Sequence, residues 1–539
     1  LDSGGIEALA LALAGHLGVK YRAEGEIPPF DDPNGWLAAL ARDLRNSGSS
    51  ALVIVGDYQS PALHALAHAI NDSLGSVGTT VHYTDPLEVD PVDEVESIRE
   101  LVASMKAGAV EVLIIVGGNP VFNAPADLDF AEALGHVGFR AQLSPFEDET
   151  SELCHWHVPE SHYLESWSDI RSYDSTAAIV QPLIQPLYNS KSAHELVGAM
   201  IGQAGLPVRD LLREFWQQET FAADFEEFWS LALHDGVLAD MNFDRRRVSL
   251  RAPIRIPTGF AQPLGEEQLE LALRPDPFIW DGRFANNGWL QETPKPVTLL
   301  TWDNAALVSP KTAQRLGLKN EQVIELSHAG RSVKAPVWIV PGHAPNVVTV
   351  QFGYGRRQSG RVGQGIGFDA YAVRTTSNMW RATGLQIIKS FDQHALACTQ
   401  DHQLMEGRHL VRHADLEHYR HHPDFAQHEV HVSPASLTLF NNDEFQSTTG
   451  NSWGMAIDLN ACTGCNACTV ACQAENNIPI VGKEQVLNGR EMSWIRIDRY
   501  YAGDLDDPEI LHQPVPCQQC ENAPCELVCP VGATLHSEE

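Results

Sequence analysis

The ten cysteines of this 539-residue chain are so unevenly spread that eight lie at or beyond position 462. They form two runs, Cys462-x2-Cys465-x2-Cys468-x3-Cys472 and Cys517-x2-Cys520-x4-Cys525-x3-Cys529, the second followed at once by Pro530. Thiolates at i, i+3 and i+6 on a tight turn can wrap one iron–sulfur cubane, while a fourth cysteine one helical turn on points toward a neighbouring cluster. Zinc also takes Cys-x2-Cys pairs, but zinc knuckles usually separate two such pairs by a longer loop, and here the third thiol follows directly. Disulfides fit less well still. Cysteines three residues apart on a turn are poorly placed to pair, and a chain this long needs no staples. Gly464 lets the backbone turn close to an inorganic core, and the small Ala461, Ala467 and Ala471 keep side chains out of its way. The pattern predicts iron–sulfur clusters and electron transfer.

Two arrangements of the fourth thiols are open. In a two-cluster ferredoxin, Cys472 and Cys529 would complete each other's cubanes. The second run departs from that pattern, with x4 where the bacterial ferredoxin has x2, so the alternative is that both reach clusters whose other ligands lie beyond residue 539.

The length predicts several domains, and 43% hydrophobic residues suffice for real cores. The net charge of −33 argues against nucleic acid and against electrostatic attachment to anionic lipid, and suits basic partners. No apolar run reaches the length of about 18 residues that a spanning helix needs. Residues 6–19 come nearest, but Ile6, Leu9, Leu13 and Leu17 recur at helical spacing, as on one face of an amphipathic helix, and no basic segment precedes them. With no initiator methionine, the chain is expected to be cut at both ends, any export signal falling in the missing part.

Residues 51–75 read as strand, turn and helix: Ala51 to Val55 is a strand, and Leu63, Leu66, Ala67, Ile70 and Leu74 line one helical face. A second strand, Glu111 to Val116, runs into Gly117-Gly118-Asn119-Pro120. Strands alternating with helices imply a parallel α/β sheet with ligand-facing glycine turns, though neither turn has the G-x-G-x-x-G of a free dinucleotide site. Residues 206–250 read as helical, packed through Leu211, Leu212, Phe215, Phe221, Phe225, Phe228 and Trp229. Short strands follow at 297–301, 323–326, 333–340 and 347–352, with a helix capped by Ser309, opened by Pro310 and ended by Gly317. Strands with one small helix and glycine-rich loops predict a compact barrel.

The stretch WDNAALVSPKTAQRLGLKNEQVIELSHAGRSVKAPVWIVPGHAPNVVTVQFGYGR resembles the C-terminal dinucleotide-binding barrel of molybdopterin oxidoreductases. ALVIVGDYQSPALHALAHAIN and VLIIVGGNPVFNAP resemble their preceding α/β domain. Joined to a ferredoxin-like region, and with phrases such as EDETSELCHWHVPESHYLESWSD and YNSKSAHELV, the chain resembles the fused molybdopterin-oxidoreductase-like and iron–sulfur subunit of alternative complex III, a bacterial membrane quinol oxidoreductase. The resemblance implies an α/β plus β-barrel plus ferredoxin-like fold. Its parts are a molybdopterin-oxidoreductase-like α/β domain over 1–205, a helical or irregular connection over 206–290, a double-psi-type barrel without cofactor over 291–385, a His-rich linker over 386–450 and a truncated iron–sulfur domain over 451–539. It implies that Cys462, Cys465 and Cys468 hold one cluster and Cys517, Cys520 and Cys525 another, with Cys472 and Cys529 serving clusters beyond the chain. The clusters would be of the 4Fe–4S type, with one allowed to be 3Fe–4S, and molybdopterin would be absent. The implied partners are an integral-membrane quinol-binding subunit and c-type cytochromes in a hetero-oligomer, peripheral on the periplasmic face of the bacterial inner membrane. The chain would relay electrons without substrate chemistry of its own. The rival reading is a catalytic molybdopterin oxidoreductase of the polysulfide, tetrathionate or sulfoxide reductase type with fused clusters.

Other candidates carry blander expectations. Gly353, Gly355, Gly360, Gly363, Gly365 and Gly367 with Arg356, Arg357 and Arg361 form a basic loop that could cradle phosphates but is expected to be structural. Cys154, His155, His157 and His162 could suggest a metal, but Cys154, Trp156 and Val158 alternate with His155 and His157 as on a strand, so Cys154 faces away from those two imidazoles, which favours packing or an interface. Cys398 is expected to be a buried small hydrophobe. His402, His409, His413, His418, His421, His422, His428 and His431, with Pro423 and Pro434, read as an extended surface linker rather than a metal site.

Overall fold

The computed structural model describes residues 1–32, 34–220, 222–239, 241–251, 253–257, 262, 264–265, 267–428, 454–520 and 523–535, so Phe221, His431 and Pro434 lie outside the described residues. It is a mixed α/β chain of two units. The larger takes Leu1–Asn286, Asn304–Ile339 and His343–His394; the smaller takes Asn287–Asp303, Val340–Gly342 and Ala395–Glu539.

In the larger unit Asp2 opens the Ser3–Leu17 helix by accepting the Gly5 amide at 2.7 Å, and Gly18 ends it at a φ of 77°. The expected single face is not what packs. Leu11, Leu13 and Ala14 are buried while Ile6, Leu9 and Leu17 are only partly so, because the helix packs against both Trp36–Ser47 and Pro61–Ser73. Leu63, Leu66, Ala67 and Ile70 face the core as expected. Residues 51–55, however, join no sheet. Their backbone is satisfied by side chains instead: Asn71 bonds both the amide and the carbonyl of Val53 at 2.8 Å, and Ser76 and Thr80 donate to the Ala51 carbonyl, each at 2.8 Å. The parallel sheet is therefore built from Val112–Val116, Phe139–Ser144 and Trp156–Pro159.

The helices Val208–Glu219 and Phe225–Asp235 bury Leu212, Trp216 and Trp229, whereas Phe215, expected to pack, is exposed. From 241 to 251 the described chain has neither helix nor strand, contrary to the helical expectation there.

A mixed seven-stranded sheet runs in the order Arg381–Thr383, Glu270–Arg274, Val347–Gln351, Ala306–Val308, Arg331–Ile339, Gln322–His328, Gln386–Gln393. It reaches upstream of 291 to recruit Glu270–Arg274, and its last strand occupies what the sequence reads as the start of a linker. Leu271, Leu273, Val348, Val350, Ile324 and Val337 fill its core, each contributing roughly 1.5–3 kcal/mol by leaving water. The His328–Arg331 turn has Ala329 and Gly330 at φ of 50° and 76°, the double left-handed geometry that suits a two-residue hairpin. Ser309 caps Pro310–Leu316 by accepting the Thr312 amide at 3.1 Å, and Gly317 ends it, as the sequence predicts.

The smaller unit has Asn287–Asp303 built into it. The Trp289 indole donates to the Ile478 carbonyl at 2.7 Å, Asn466 donates to the Pro294 carbonyl at 2.7 Å, and Lys483 pairs with Asp303 at 2.5 Å. The Glu292 carboxylate accepts the Val481 and Gly482 amides at 3.1 and 2.7 Å. Of the strand expected over 297–301, only Leu300–Thr301 forms a ladder, with Ala397–Cys398. Val297 and Leu299 take φ of 67° and 56°, which no ladder accommodates and which strains a β-branched valine. The Arg499 guanidinium donates to the Val297 carbonyl and, at 3.1 Å, to that of Thr298. The His-rich stretch is not wholly extended: Asp415 accepts the His418 amide at 2.7 Å and starts the helix Leu416–His421, and a second turn covers Phe425–His428.

Candidate iron–sulfur site

The two cysteine runs are joined through an antiparallel hairpin, Ile495–Ala502 with Glu509–Pro516, paired residue for residue from Ile495↔Pro516 to Ala502↔Glu509. Its open end carries the second run: the Cys517 amide extends the ladder to the Trp494 carbonyl at 3.0 Å. The first run meets the same hairpin. Gly464 has a φ of 69°, and a methyl group there would overlap the ring of His512 on the second strand, so only glycine allows this approach. The helix Ala467–Glu475 begins after Asn466, itself left-handed at φ 61°, and the Thr469 hydroxyl reaches the Ile495 carbonyl at 3.5 Å.

Cys462 lies in a turn whose amide bonds to the Asp458 carbonyl at 3.1 Å, and Cys465 is exposed on the loop that follows. Cys468 and Cys472 stand one turn apart on the Ala467–Glu475 helix. Cys517 and Cys520 are exposed after the hairpin, Cys525 is on the short helix Pro524–Val528, and Cys529 caps its end. None of the eight is in a disulfide. Backbone amides of Val531, Ala533 and Thr534 turn toward the Cys529 sulfur, that of Ala533 at 3.1 Å, and bring its pKa down to about 7. Amides aimed at sulfur favour the thiolate, the form that binds iron. Asn476 sends its side-chain amide to the Cys472 sulfur at 3.5 Å.

Among the described residues no three His, Cys, Asp or Glu side chains converge as a mononuclear site does. A cluster takes its thiolates on separate irons, and the chemistry of the donor set fits it: thiols outside any disulfide, small neighbours, left-handed turns at Gly464, Asn466 and Gln519, and amides directed at sulfur. Residues that the spacing does not reveal complete the surroundings. His512 faces Arg499 across the hairpin, and burial followed by the Arg499 charge holds its pKa below the usual value. Arg499 is itself 1% exposed, stacks on Tyr501 at 4.9 Å and donates to Gln403 at 2.7 Å. Nothing local in the sequence marks either residue, since their roles come from strand register.

In the larger unit a cavity of 340 Å³ lies at the ends of the parallel strands, lined by Gly117, Gly118, Asn119, Asp148, Arg283 and Arg356. Arg356 is not free to meet a phosphate there. It pairs with Glu149 at 2.9 Å and donates to the Gly282 carbonyl at 2.6 Å. Burial would raise the Glu149 carboxyl, but hydrogen bonds and charge from Arg356, with Asn119 and the Gln358 amide, outweigh it and bring the pKa down to about 2. The glycines serve close packing: at Gly355 a methyl would overlap the Asp369 backbone, and at Gly367 it would overlap Tyr354. The Cys154 group is likewise held by protein. His155 accepts the Arg140 amide at 3.0 Å and stacks on Phe139, His157 bonds Ser144 at 3.0 Å, and His162 packs on Tyr163. Cys398 is partly buried, its thiol donating to the Gln400 carbonyl at 3.3 Å. The His418 and His422 rings lie 5.1 Å apart.

Known proteins match in two ways. The iron–sulfur cluster-binding subunit of a menaquinone reductase from Nitratidesulfovibrio vulgaris is 44% identical over 89 residues, 16% of this chain and 34% of that protein. The molybdopterin-binding-like subunit of menaquinone reductase from the same organism is 24% identical over 446 residues, covering 71% of this chain and 62% of its own length. This chain joins the two in one polypeptide. It therefore spans about a third of the first relative and under two thirds of the second. The expectation that molybdopterin is absent finds no support in a relative named as molybdopterin-binding-like. Among solved structures, acetylene hydratase from Pelobacter acetylenicus aligns with a TM-score of 0.34 at 12% identity, over 53% of this chain and 46% of that one. No family model matches. Among the described residues no helix is long and apolar enough to cross a membrane.

Proposed function

We propose that this chain is an iron–sulfur electron-transfer subunit of a membrane-bound quinol oxidoreductase, of the type fused to a molybdopterin-oxidoreductase-like body in alternative complex III. Cys462, Cys465, Cys468 and Cys472 with Cys517, Cys520, Cys525 and Cys529 are the cluster ligands, and bound clusters of the 4Fe–4S type supply one-electron carriers. The observation that carries this reading is the hairpin joining the two runs, with Gly464 pressed against one of its strands. The protein's part is to fix the clusters and to tune them through amides on sulfur and through buried charge. Two relatives named as subunits of a menaquinone reductase support a quinone-linked hetero-oligomer. In this reading the complex sits on the periplasmic face of the bacterial inner membrane, an integral-membrane subunit handles quinol, and c-type cytochromes take the electrons. In the same reading the seven-stranded sheet corresponds to the double-psi-type barrel of that family, kept as scaffold without molybdopterin; the commitment of Arg356 to Glu149 supports a loop that serves packing rather than phosphate binding.

Anaerobic reconstitution of the full chain with iron and sulfide, followed by EPR on reduction, tests the site. Cluster signals are expected, and Cys465→Ser should remove one of them; zinc in place of iron would sink the proposal. Metal and pterin analysis of the protein purified from its native host distinguishes the rival, a catalytic molybdopterin oxidoreductase, which requires molybdenum and a releasable pterin.

A further inference from the structure

Against a net charge of −33, five arginines crowd into eleven residues: Arg245, Arg246, Arg247, Arg251 and Arg255. All five are exposed. Arg246 is matched, donating to Asp85 at 2.6 and 2.9 Å. Among the described residues Arg245, Arg247, Arg251 and Arg255 make no ion pair. The parallel pairing of Tyr21–Ala23 with Ile254–Ile256 sets Arg22 in register with Arg255, both exposed. Like charges on neighbouring strands repel, a cost that folding leaves in place unless something anionic lies over them. Beside this pair opens a groove of 810 Å³, with Arg251 and Arg255 on its wall against a single carboxylate, Asp72, and Val248, Leu250, Ile254 and Val77 supplying an apolar floor. Val248 and Leu250 are 51% and 38% exposed.

We infer that this groove receives an acidic, leucine-bearing segment of a partner protein. The unmatched guanidinium groups select the charge, and the aliphatic lining selects a polypeptide over a bare anion. A membrane plane suits the site less well. A broad anionic plane would also face the carboxylates around the groove, Asp72 in its lining and Asp85 against Arg246, within a Debye length of about 10 Å, whereas an inserted segment can set its charges on the guanidinium groups alone.

The test uses the full chain with clusters loaded and, as probe, a fluorescein-labelled peptide of repeated Glu-Glu-Leu. The wild-type chain should bind it with an affinity that falls as salt rises. Arg251→Glu with Arg255→Glu should weaken binding by about tenfold or more, Lys311→Glu should not, and replacing each leucine of the peptide by glycine should weaken it too. Without peptide, Arg255→Gln should raise the melting temperature slightly by relieving the repulsion from Arg22. No binding to the wild-type chain, equal binding by the double variant, or preferential binding to phosphatidylglycerol vesicles would each overturn the inference.

Discussion

Among the described residues each unit buries one arginine, and the two are treated differently. In the larger unit Arg356 meets Glu149, whose carboxylate also takes the amides of Arg357 and Gln358 at 2.7 and 3.1 Å, so the charge is balanced by protein alone. In the smaller unit Arg499 is at least as buried but meets only neutral oxygens, those of Val297, Thr298 and Gln403. No carboxylate pairs with it among the described residues, and burial lowers its pKa. The difference teaches that one buried charge is neutralised within its own unit while the other is held by neutral dipoles alone. A closed ion pair suits a scaffold, whereas an unbalanced guanidinium beside His512 and the Gly464 loop suits the anionic thiolate clusters proposed above.

The largest effect is expected where the balance is complete. Arg356→Ala strands a buried carboxylate and should cost about 3–5 kcal/mol in thermal or urea unfolding, while Glu149→Gln combined with Arg356→Met should cost much less. Equal losses would break the contrast. Next, Arg499→Met leaves two carbonyls unsatisfied, at about 1–3 kcal/mol, and in the reconstituted chain should lower one cluster's midpoint potential by on the order of tens of millivolts, because a nearby positive charge favours the reduced, more negative cluster. An unchanged potential in a redox titration followed by EPR would remove Arg499 from the electrostatics of the site. The smallest effect is in acid. Because the Glu149 pKa is depressed to about 2 from 4.5, its stabilisation is complete above the upper value and is lost as pH falls toward the lower one. At pH 3.5 the gap between wild type and Glu149→Gln should be narrower than at pH 6 by about 1 kcal/mol.

What could be read from the sequence was what neighbours decide. Ser309, Pro310 and Gly317 bound their helix as written, because caps, like the tight turn at His328–Arg331, are closed by residues within a few positions. The cysteine spacing belongs to the same class, which is why the candidate ligands stand out. Distant partners overrode the rest. The apolar run at residues 51–55 has a strand's composition, yet Asn71 supplies the bonds a neighbouring strand would have made. Residues 297–301 look equally strand-like but are bent under Arg499, some two hundred positions on. The loop of Arg356 is expected to be structural, but the residue that makes it so, Glu149, is one acid among 70 acidic residues and is identified only by the fold.

The insertion of Asn287–Asp303 into the smaller unit bears on how the protein is made. During synthesis that piece leaves the ribosome well before the hairpin and both cysteine runs, so the docking sites for Trp289, Glu292 and Asp303 do not yet exist. The nascent chain must carry a loose segment with two indoles, Trp289 and Trp302, until those later residues have emerged. A cell expressing only the residues from 395 onward would be asking a cluster assembly system to load a body with one wall missing.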